Sequence, residues 1–257
     1  MKPALSVLLL LMTSMAQADW TPPADPDPQA ILQEAQDDTR AERYEDALAK
    51  HVWFHENALK LRPSLYGVRL SFALSYWREL GKAYAPALIK LQSIRDEAGK
   101  NVREGHGAKE AFRDFAAINK TLGQEVMTKD LFVWLDSHKP EAAEDAFNTA
   151  EPALVRTKEY HVCDHYLKAD ESYQASLRSF QRNQQLATDP QFGGRLGDFG
   201  KKKFSNEVTI LVALLVVNDR RAQAESIVAA AVKDWDNPQF KEQLDQALGG
   251  VVPEPWP

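Results

Sequence analysis

The histidines are the residues whose spacing in this sequence could support metal chemistry. His51 and His55 are four residues apart, and so are His161 and His165. On a helix this spacing places two imidazoles on one face, and two facing pairs could build a four-histidine site for a transition metal. Neither pair has the glutamate of a His-Glu-x-x-His protease, because Glu56 follows His55. Ordinary half-buried histidines are the plainer interpretation, so metal binding is the alternative hypothesis, and the main interpretation needs no cofactor.

A lone arginine in an apolar stretch is the second candidate for a functional site. Residues 65–77 carry a single charge, on Arg69. Such an arginine could anchor the carboxylate of a partner in a groove, but it could equally pair with an internal acid or extend to solvent. Tyr76 and Trp77 could line the same groove, although aromatic side chains lie more often in the core. These three residues are the candidate partner-binding set.

The glycine-rich and lysine-rich run at 192–203 invites comparison with a phosphate-binding loop. It does not fit, because five residues lie between Gly194 and Gly200 where the motif has four, and Lys202 follows Lys201 where the motif has serine or threonine. We therefore predict that 188–203 is an exposed loop, with Lys201 and its neighbours in solvent, which could also dock an acidic partner. The sequence has no Ser-His-Asp or Gly-x-Ser-x-Gly signature of a hydrolase, and we expect no enzyme activity.

The net charge and the N-terminal residues limit the classes of function that this chain can have. The chain has 257 residues and a formal net charge of −6, which disfavours nucleic acid as a partner. Residues 1–18 have Lys2, an apolar run and an Ala16-Gln17-Ala18 cleavage site, which is typical of a secretory signal peptide. We expect an exported protein, periplasmic or otherwise secreted. The single cysteine, Cys163, cannot form an internal disulfide and is most simply a small buried hydrophobe.

The positions of proline and glycine predict an all-α protein of about ten helices. Four prolines make 19–28 an extended tether, 29–248 the helical domain and 249–257 a tail. The run 208–217 has only one polar residue, so its helix should be buried on all sides, and it is too short to span a membrane. The other helices are predicted from breakers and caps at 44–61, 65–80 (stopped by Gly81), 86–99, 109–122, 125–137, from Pro140, 158–167, 170–187, 221–234 and 238–248.

A degenerate repeat runs through these helices. Tyr44-x2-Ala47-Leu48-x-Lys50 recurs forty residues later from Tyr84. The longer pattern is alanine, a large residue four positions on, and another residue three positions further. Its four best copies are Ala47-His51-Phe54, Ala87-Leu91-Ile94, Ala143-Phe147-Ala150 and Ala224-Val228-Ala231.

This pattern resembles the second helix of the tetratricopeptide-repeat family, in which a small residue lets paired helices approach closely. The copies here are spaced by 40, 56 and 81 residues rather than by a constant period of about 34. The resemblance implies an α-α superhelix of antiparallel helix hairpins with a groove for a peptide or protein partner. A helical domain without repeats is the alternative architecture.

These observations favour an exported, non-catalytic protein-interaction module. The first alternative is a helical metal-binding protein that uses the two histidine pairs. The second is a helical enzyme acting on cell-wall polymer, which would need a deep pocket with convergent carboxylates or a serine–histidine pair.

Overall fold

The computed structural model describes residues 20–189 and 193–256, and the predicted signal peptide lies outside them. Within these ranges the regular structure is entirely helical, which confirms the all-α prediction. The described residues form thirteen α-helices rather than about ten, because the helix Pro28–Arg40 was not anticipated and the predicted helix 65–80 is divided into two. By their internal contacts the described residues form two compact units, the first ending at Arg95 and the second beginning at Asp96.

The first unit is built around a small apolar core. Four of its helices lie wholly within it, and the unit boundary falls inside a fifth; they are α1 (Pro28–Arg40), α2 (Tyr44–Leu61), α3 (Tyr66–Arg69), α4 (Phe72–Ala83) and α5 (Ala85–Glu104). Asp27 caps α1 by accepting a hydrogen bond from Gln29 N at 2.9 Å, and Pro28 occupies the first turn. Leu32 of α1 packs with Phe54 and Ala58 of α2.

The predicted helix 65–80 is interrupted in the structure. The chain leaves helical geometry at Ser71, where φ is −134° and ψ is −88°, and the Ser71 hydroxyl donates to Gly67 O at 2.6 Å. Gly81 does not stop the second half, since α4 continues to Ala83. Gly81 instead lies against Leu88, because a Cβ on this glycine would be 3.1 Å from Leu88 Cβ. The glycine here serves close packing between helices rather than chain termination.

The predicted tether contacts α2 through Trp20, whereas residues 21–25 are exposed. Trp20 N donates to Asp46 Oδ1 at 3.3 Å. The Trp20 ring meets the Trp53 ring edge-on with centroids 6.3 Å apart, and Lys50 Nζ lies 5.7 Å from the Trp20 ring centroid. These contacts hold the extended segment before α1 against the first unit.

The second unit surrounds one long buried helix. Its helices are α6 (Ala108–Leu122), α7 (Glu125–His138), α8 (Pro140–Arg156), α9 (Tyr160–Asp164), α10 (Ala169–Leu186), α11 (Gly193–Val217), α12 (Arg221–Asp234) and α13 (Pro238–Leu248). Residues 208–215 of α11 are all buried, as the sequence predicted, and α11 packs against α9, α10, α12 and α13. Cys163 is fully buried, which confirms the prediction of a small buried hydrophobe, and burial raises the pKa of its thiol to about 12.

The loop predicted at 188–203 is wrong from residue 193 onward, where α11 begins; residues 190–192 lie outside the described part. Two glycines explain the error. A Cβ on Gly197 would lie 3.2 Å from Ala187 Cβ, and one on Gly200 would lie 2.7 Å from Asn183 Cβ. Tertiary packing between α10 and α11 therefore outweighs the low helix propensity of glycine here.

Among the described residues, none of the helices combines the length and the apolar character that crossing a bilayer requires.

Candidate functional site

The first histidine pair lies inside the first unit. His51 and His55 on α2 are 2% and 7% exposed, and both rings pack on Trp77, with centroid distances of 5.7 and 6.1 Å. Burial lowers the pKa of His51 to about 4, so its imidazole is neutral at pH 7. The Nε2 atom of His51 is buried and has no hydrogen-bond partner among the described residues. This pair contributes to the core of its unit.

The second histidine pair lies in the second unit and does not share one helix. Helix α9 ends at Asp164, so His165 follows it, exposed to solvent with its Nδ1 atom 3.3 Å from Asp136 Oδ1. His161 is on α9. Across 20–189 and 193–256, no group of three or more histidine, cysteine, aspartate or glutamate side chains is arranged to hold a metal ion.

The three residues proposed for partner binding have structural contacts in the first unit. Trp77 is 1% exposed and donates from Nε1 to Ala87 O at 2.9 Å, which makes it a core residue rather than part of a groove. Arg69 donates from Nε to His55 O at 2.7 Å, and its Nη2 lies 3.0 Å from His55 Nε2. Tyr76 is partly buried against the core cluster of Leu32 and Phe54. Arg69 therefore links α3 to α2.

A concave site lies within the second unit. It is a cleft of about 850 Å³ between α8, α10 and α11. Pro255 and Trp256 border it, and they belong to residues 251–256, which we name the C-terminal segment. Its walls combine apolar and charged side chains, among them Phe147, Glu151, Arg178, Glu207, Ile210 and Trp256. A cleft of this size with mixed lining is suited to a side chain or a short segment of a ligand.

The C-terminal segment is held beside the cleft by hydrogen bonds to its main chain. Asn206 of α11 donates from Nδ2 to Glu254 O at 2.8 Å and accepts at Oδ1 from Trp256 N at 2.6 Å. Arg156 of α8 donates from Nη2 to Pro255 O at 2.8 Å. One amide side chain thus contacts both main-chain groups that flank Pro255. Hydrogen bonds to main-chain groups are one way in which a protein binds an extended peptide.

A second cavity lies on the other side of the C-terminal segment. It has a volume of about 540 Å³, and Trp235 and Phe240 contribute to its wall. Lys201 and Lys202, which we expected on a loop, line this cavity from α11. Trp256 borders both the cavity and the cleft, and its ring lies 5.0 Å from the ring of Phe199. The segment therefore runs between two concave surfaces.

Two acidic side chains give the cleft its electrostatic character. Glu151 is a half-buried residue of α8 that faces the cleft, and burial raises the pKa of its carboxyl to about 7. The Glu207 carboxylate nearby raises it further, since two negative charges in a low-dielectric site repel. Glu207 itself forms an ion pair with Lys203 one turn away on α11. The cleft therefore offers a carboxyl that a cation would stabilise in its charged form.

Sequence reasoning missed Asn206, Arg156 and Glu151. Asn206 and Trp256 are fifty residues apart, so their hydrogen bond leaves no local pattern. The available signal was the pair Glu151-Pro152, an acid followed by proline in the middle of a helix. Proline is costly there, and its presence indicates a constraint other than helix stability.

Comparisons with protein-family models, with curated proteins and with solved structures find no match to this chain.

Proposed function

We propose that this chain is an exported, non-catalytic protein-interaction module that binds an extended peptide segment of a partner beside the α8–α11 cleft. The observation that carries the proposal is the double hydrogen bond of Asn206 to the main chain of the C-terminal segment. Because these bonds reach main-chain atoms, the same side chain can hold a foreign segment in the same way. The C-terminal segment would then be an internal occupant that a partner displaces.

A tetratricopeptide-like stack of helix hairpins is the architecture we propose for this module. The first alanine of each repeat copy, at Ala47, Ala87, Ala143 and Ala224, is fully buried, as expected where paired helices approach closely. Tyr44 and Tyr84, which open the two clearest copies, stack with ring centroids 5.8 Å apart. Equivalent positions of adjacent copies therefore meet within the first unit. Such stacks expose surfaces that hold peptides.

The last part of the proposal is export of the protein, which the sequence of residues 1–18 supports. Their basic start, apolar run and Ala16-Gln17-Ala18 site support cleavage and transport out of the cytoplasm. We place the module in the periplasm, where its partner would be another envelope protein.

The test measures binding of a fluorescein-labelled peptide, Val-Val-Pro-Glu-Pro-Trp, to the 19–257 protein by fluorescence polarisation. The chain's own segment competes with this probe, so wild type should bind weakly. Trp256→Ala removes the ring contact with Phe199 and weakens the competitor, so this variant should bind the probe more tightly. In the Trp256→Ala background, Asn206→Ala should weaken binding by about tenfold or more, since it removes two hydrogen bonds.

A matched control is Asn57→Ala in the same Trp256→Ala background. Asn57 is an asparagine of α2 that bonds to Trp53 O within its own helix, so this change should leave binding unaltered. Equal binding with and without Asn206 would show that the peptide does not use this site. No binding to any variant would remove the proposed function.

A further inference from the structure

Glu151 has no cationic partner among the described residues, although three basic side chains line its cleft. Lys168 pairs with Glu144 at 2.5 Å, and Lys203 pairs with Glu207. Arg178 occupies an exposed position on α10, and Asp170 and Glu171 add negative charge at the start of that helix. An enclosed carboxyl without a counter-charge is unfavourable when ionised. A positive charge from outside the chain would relieve this cost.

A backbone acceptor accompanies Glu151 in the same cleft. Pro152 lies inside α8 and has no N–H group, so the helical hydrogen bond to the Asn148 carbonyl is missing. Asn148, Glu151 and Pro152 all line the cleft. A lysine ammonium or an arginine guanidinium has several N–H donors and no acceptor, which matches one carboxylate and one carbonyl. The local chemistry therefore selects a cation with hydrogen-bond donors.

The path of the C-terminal segment indicates how such a cation would arrive. Val251 and Pro253 border the second cavity, whereas Pro255 borders the cleft and Trp256 borders both. A partner segment in the same register and direction would enter the cleft with the residues that follow the position of Trp256. One of these residues can direct a long side chain toward Glu151.

We propose that the cleft binds a lysine or arginine side chain of the partner segment, with the Glu151 carboxylate and the Asn148 carbonyl as its acceptors. This inference rests on the proposed function, because the segment must first lie along α8 and α11. It adds specificity for one side chain to a site that otherwise binds only main-chain groups of the segment.

The experiment uses the full 19–257 protein and labelled peptides in which Val-Val-Pro-Glu-Pro-Trp is followed by four residues. One of the four is lysine, arginine or norleucine, scanned through each position in an alanine background. Norleucine has nearly the length of lysine without its charge. The result is the ratio of the dissociation constants of the norleucine and lysine peptides. Competition from the chain's own segment affects both peptides equally and cancels in this ratio.

At about pH 8, where the Glu151 carboxyl is largely ionised, lysine or arginine at one position should bind about tenfold more tightly than norleucine. Glu151→Gln should bring this ratio to about one without weakening the norleucine peptide. Glu242→Gln removes one negative charge at an exposed position of α13, outside the lining of the cleft, and should leave the ratio unchanged.

Equal affinity for charged and uncharged peptides, or a preference that survives Glu151→Gln, would overturn the inference. If peptide binding in the Trp256→Ala background still depends on Asn206, the proposed function stands although the inference about the cation fails. If no peptide of any series binds, both proposals fail. Circular dichroism of each variant confirms that a lost preference does not reflect unfolding.

Discussion

Gly200 lies so close to Asn183 that a Cβ atom on residue 200 would be 2.7 Å from the Cβ of Asn183. Real Cβ atoms almost never approach so closely, and the contact is with the root of the neighbouring side chain rather than its flexible end. Helices α10 and α11 form two walls of the cleft. They can approach this closely because residue 200 has no side chain.

Gly200→Ala should therefore destabilise the protein, although alanine is the better helix former. We expect a loss of about 1–3 kcal/mol in the free energy of unfolding from overpacking. Gly67→Ala is the control, because a Cβ at Gly67 meets nothing within 4 Å, and the change should be neutral or stabilising by up to about 1 kcal/mol. Urea unfolding followed by circular dichroism measures both, and a stabilised Gly200→Ala would contradict the packing argument.

The glycines also show what sequence can predict and what it cannot. Gly123 has a φ of +69° and ends α6 at Leu122, as the sequence predicted. Gly81 and Gly200 are the same residue type inside helices, and their role depends on a neighbour more than six positions away. A breaker pattern cannot distinguish the two roles, because the distinction arises only when the helices pack. The bounds of α12 and α13, where no glycine lies inside the helix, were predicted to the residue.

The candidate site was less accessible to sequence reasoning than the fold. Arg69 stood out because it is the only charge in its stretch, yet the structure places its guanidinium on His55. Asn206 is one polar residue among many, just before the apolar run 208–217. Its contacts with residues 254 and 256 are what distinguish it in the structure. Side chains that recognise a backbone have no characteristic spacing, so this class of site becomes visible only in three dimensions.

Arg69 should act through stability and not through partner binding. Arg69→Ala removes the hydrogen bond to His55 O and the contact with His55 Nε2, which should cost about 1–3 kcal/mol of unfolding free energy. Peptide affinity of the folded variant should match that of Arg78→Ala, an exposed arginine of α4 that pairs with Glu79. If a folded Arg69→Ala protein lost peptide binding, this result would indicate that the binding site lies in the first unit.

Glu151 should make the protein less stable as pH rises. Its pKa is about 7 in the folded chain against 4.5 in the unfolded one, so the unfolded chain releases its proton at lower pH. The cost appears as pH rises from about 4.5 to about 7 and reaches up to about 3 kcal/mol. Glu151→Gln should thus be more stable than wild type at about pH 8 and equal to it near pH 4. Unfolding in urea at both pH values tests this, and an equal difference at the two values would argue against it.

His51 should give the opposite pH dependence. Burial lowers its pKa from 6.5 to about 4, so the unfolded chain binds the proton first as pH falls. Stability should be lost between pH 6.5 and about 4, by up to about 3 kcal/mol, and should be unaffected above this range. His51→Leu fills a similar volume without the unpartnered Nε2 atom and should abolish this loss. His106→Leu changes an imidazole that is 73% exposed and should retain it. Thermal unfolding across this pH range separates the two variants.

Pro152 should reduce the stability of the second unit while supporting its selectivity. Pro152→Ala restores the N–H that α8 lacks, so the Asn148 carbonyl regains its helical partner and the protein should gain up to about 3 kcal/mol of stability. The same change removes an acceptor from the cleft, so the preference for lysine over norleucine peptides should fall by about threefold to tenfold. Pro140→Ala is the matched control, since Pro140 begins α8 where no helical bond is missing, and both quantities should change little. A Pro152→Ala protein with increased stability and an unchanged peptide preference would show that the Asn148 carbonyl plays no part in binding.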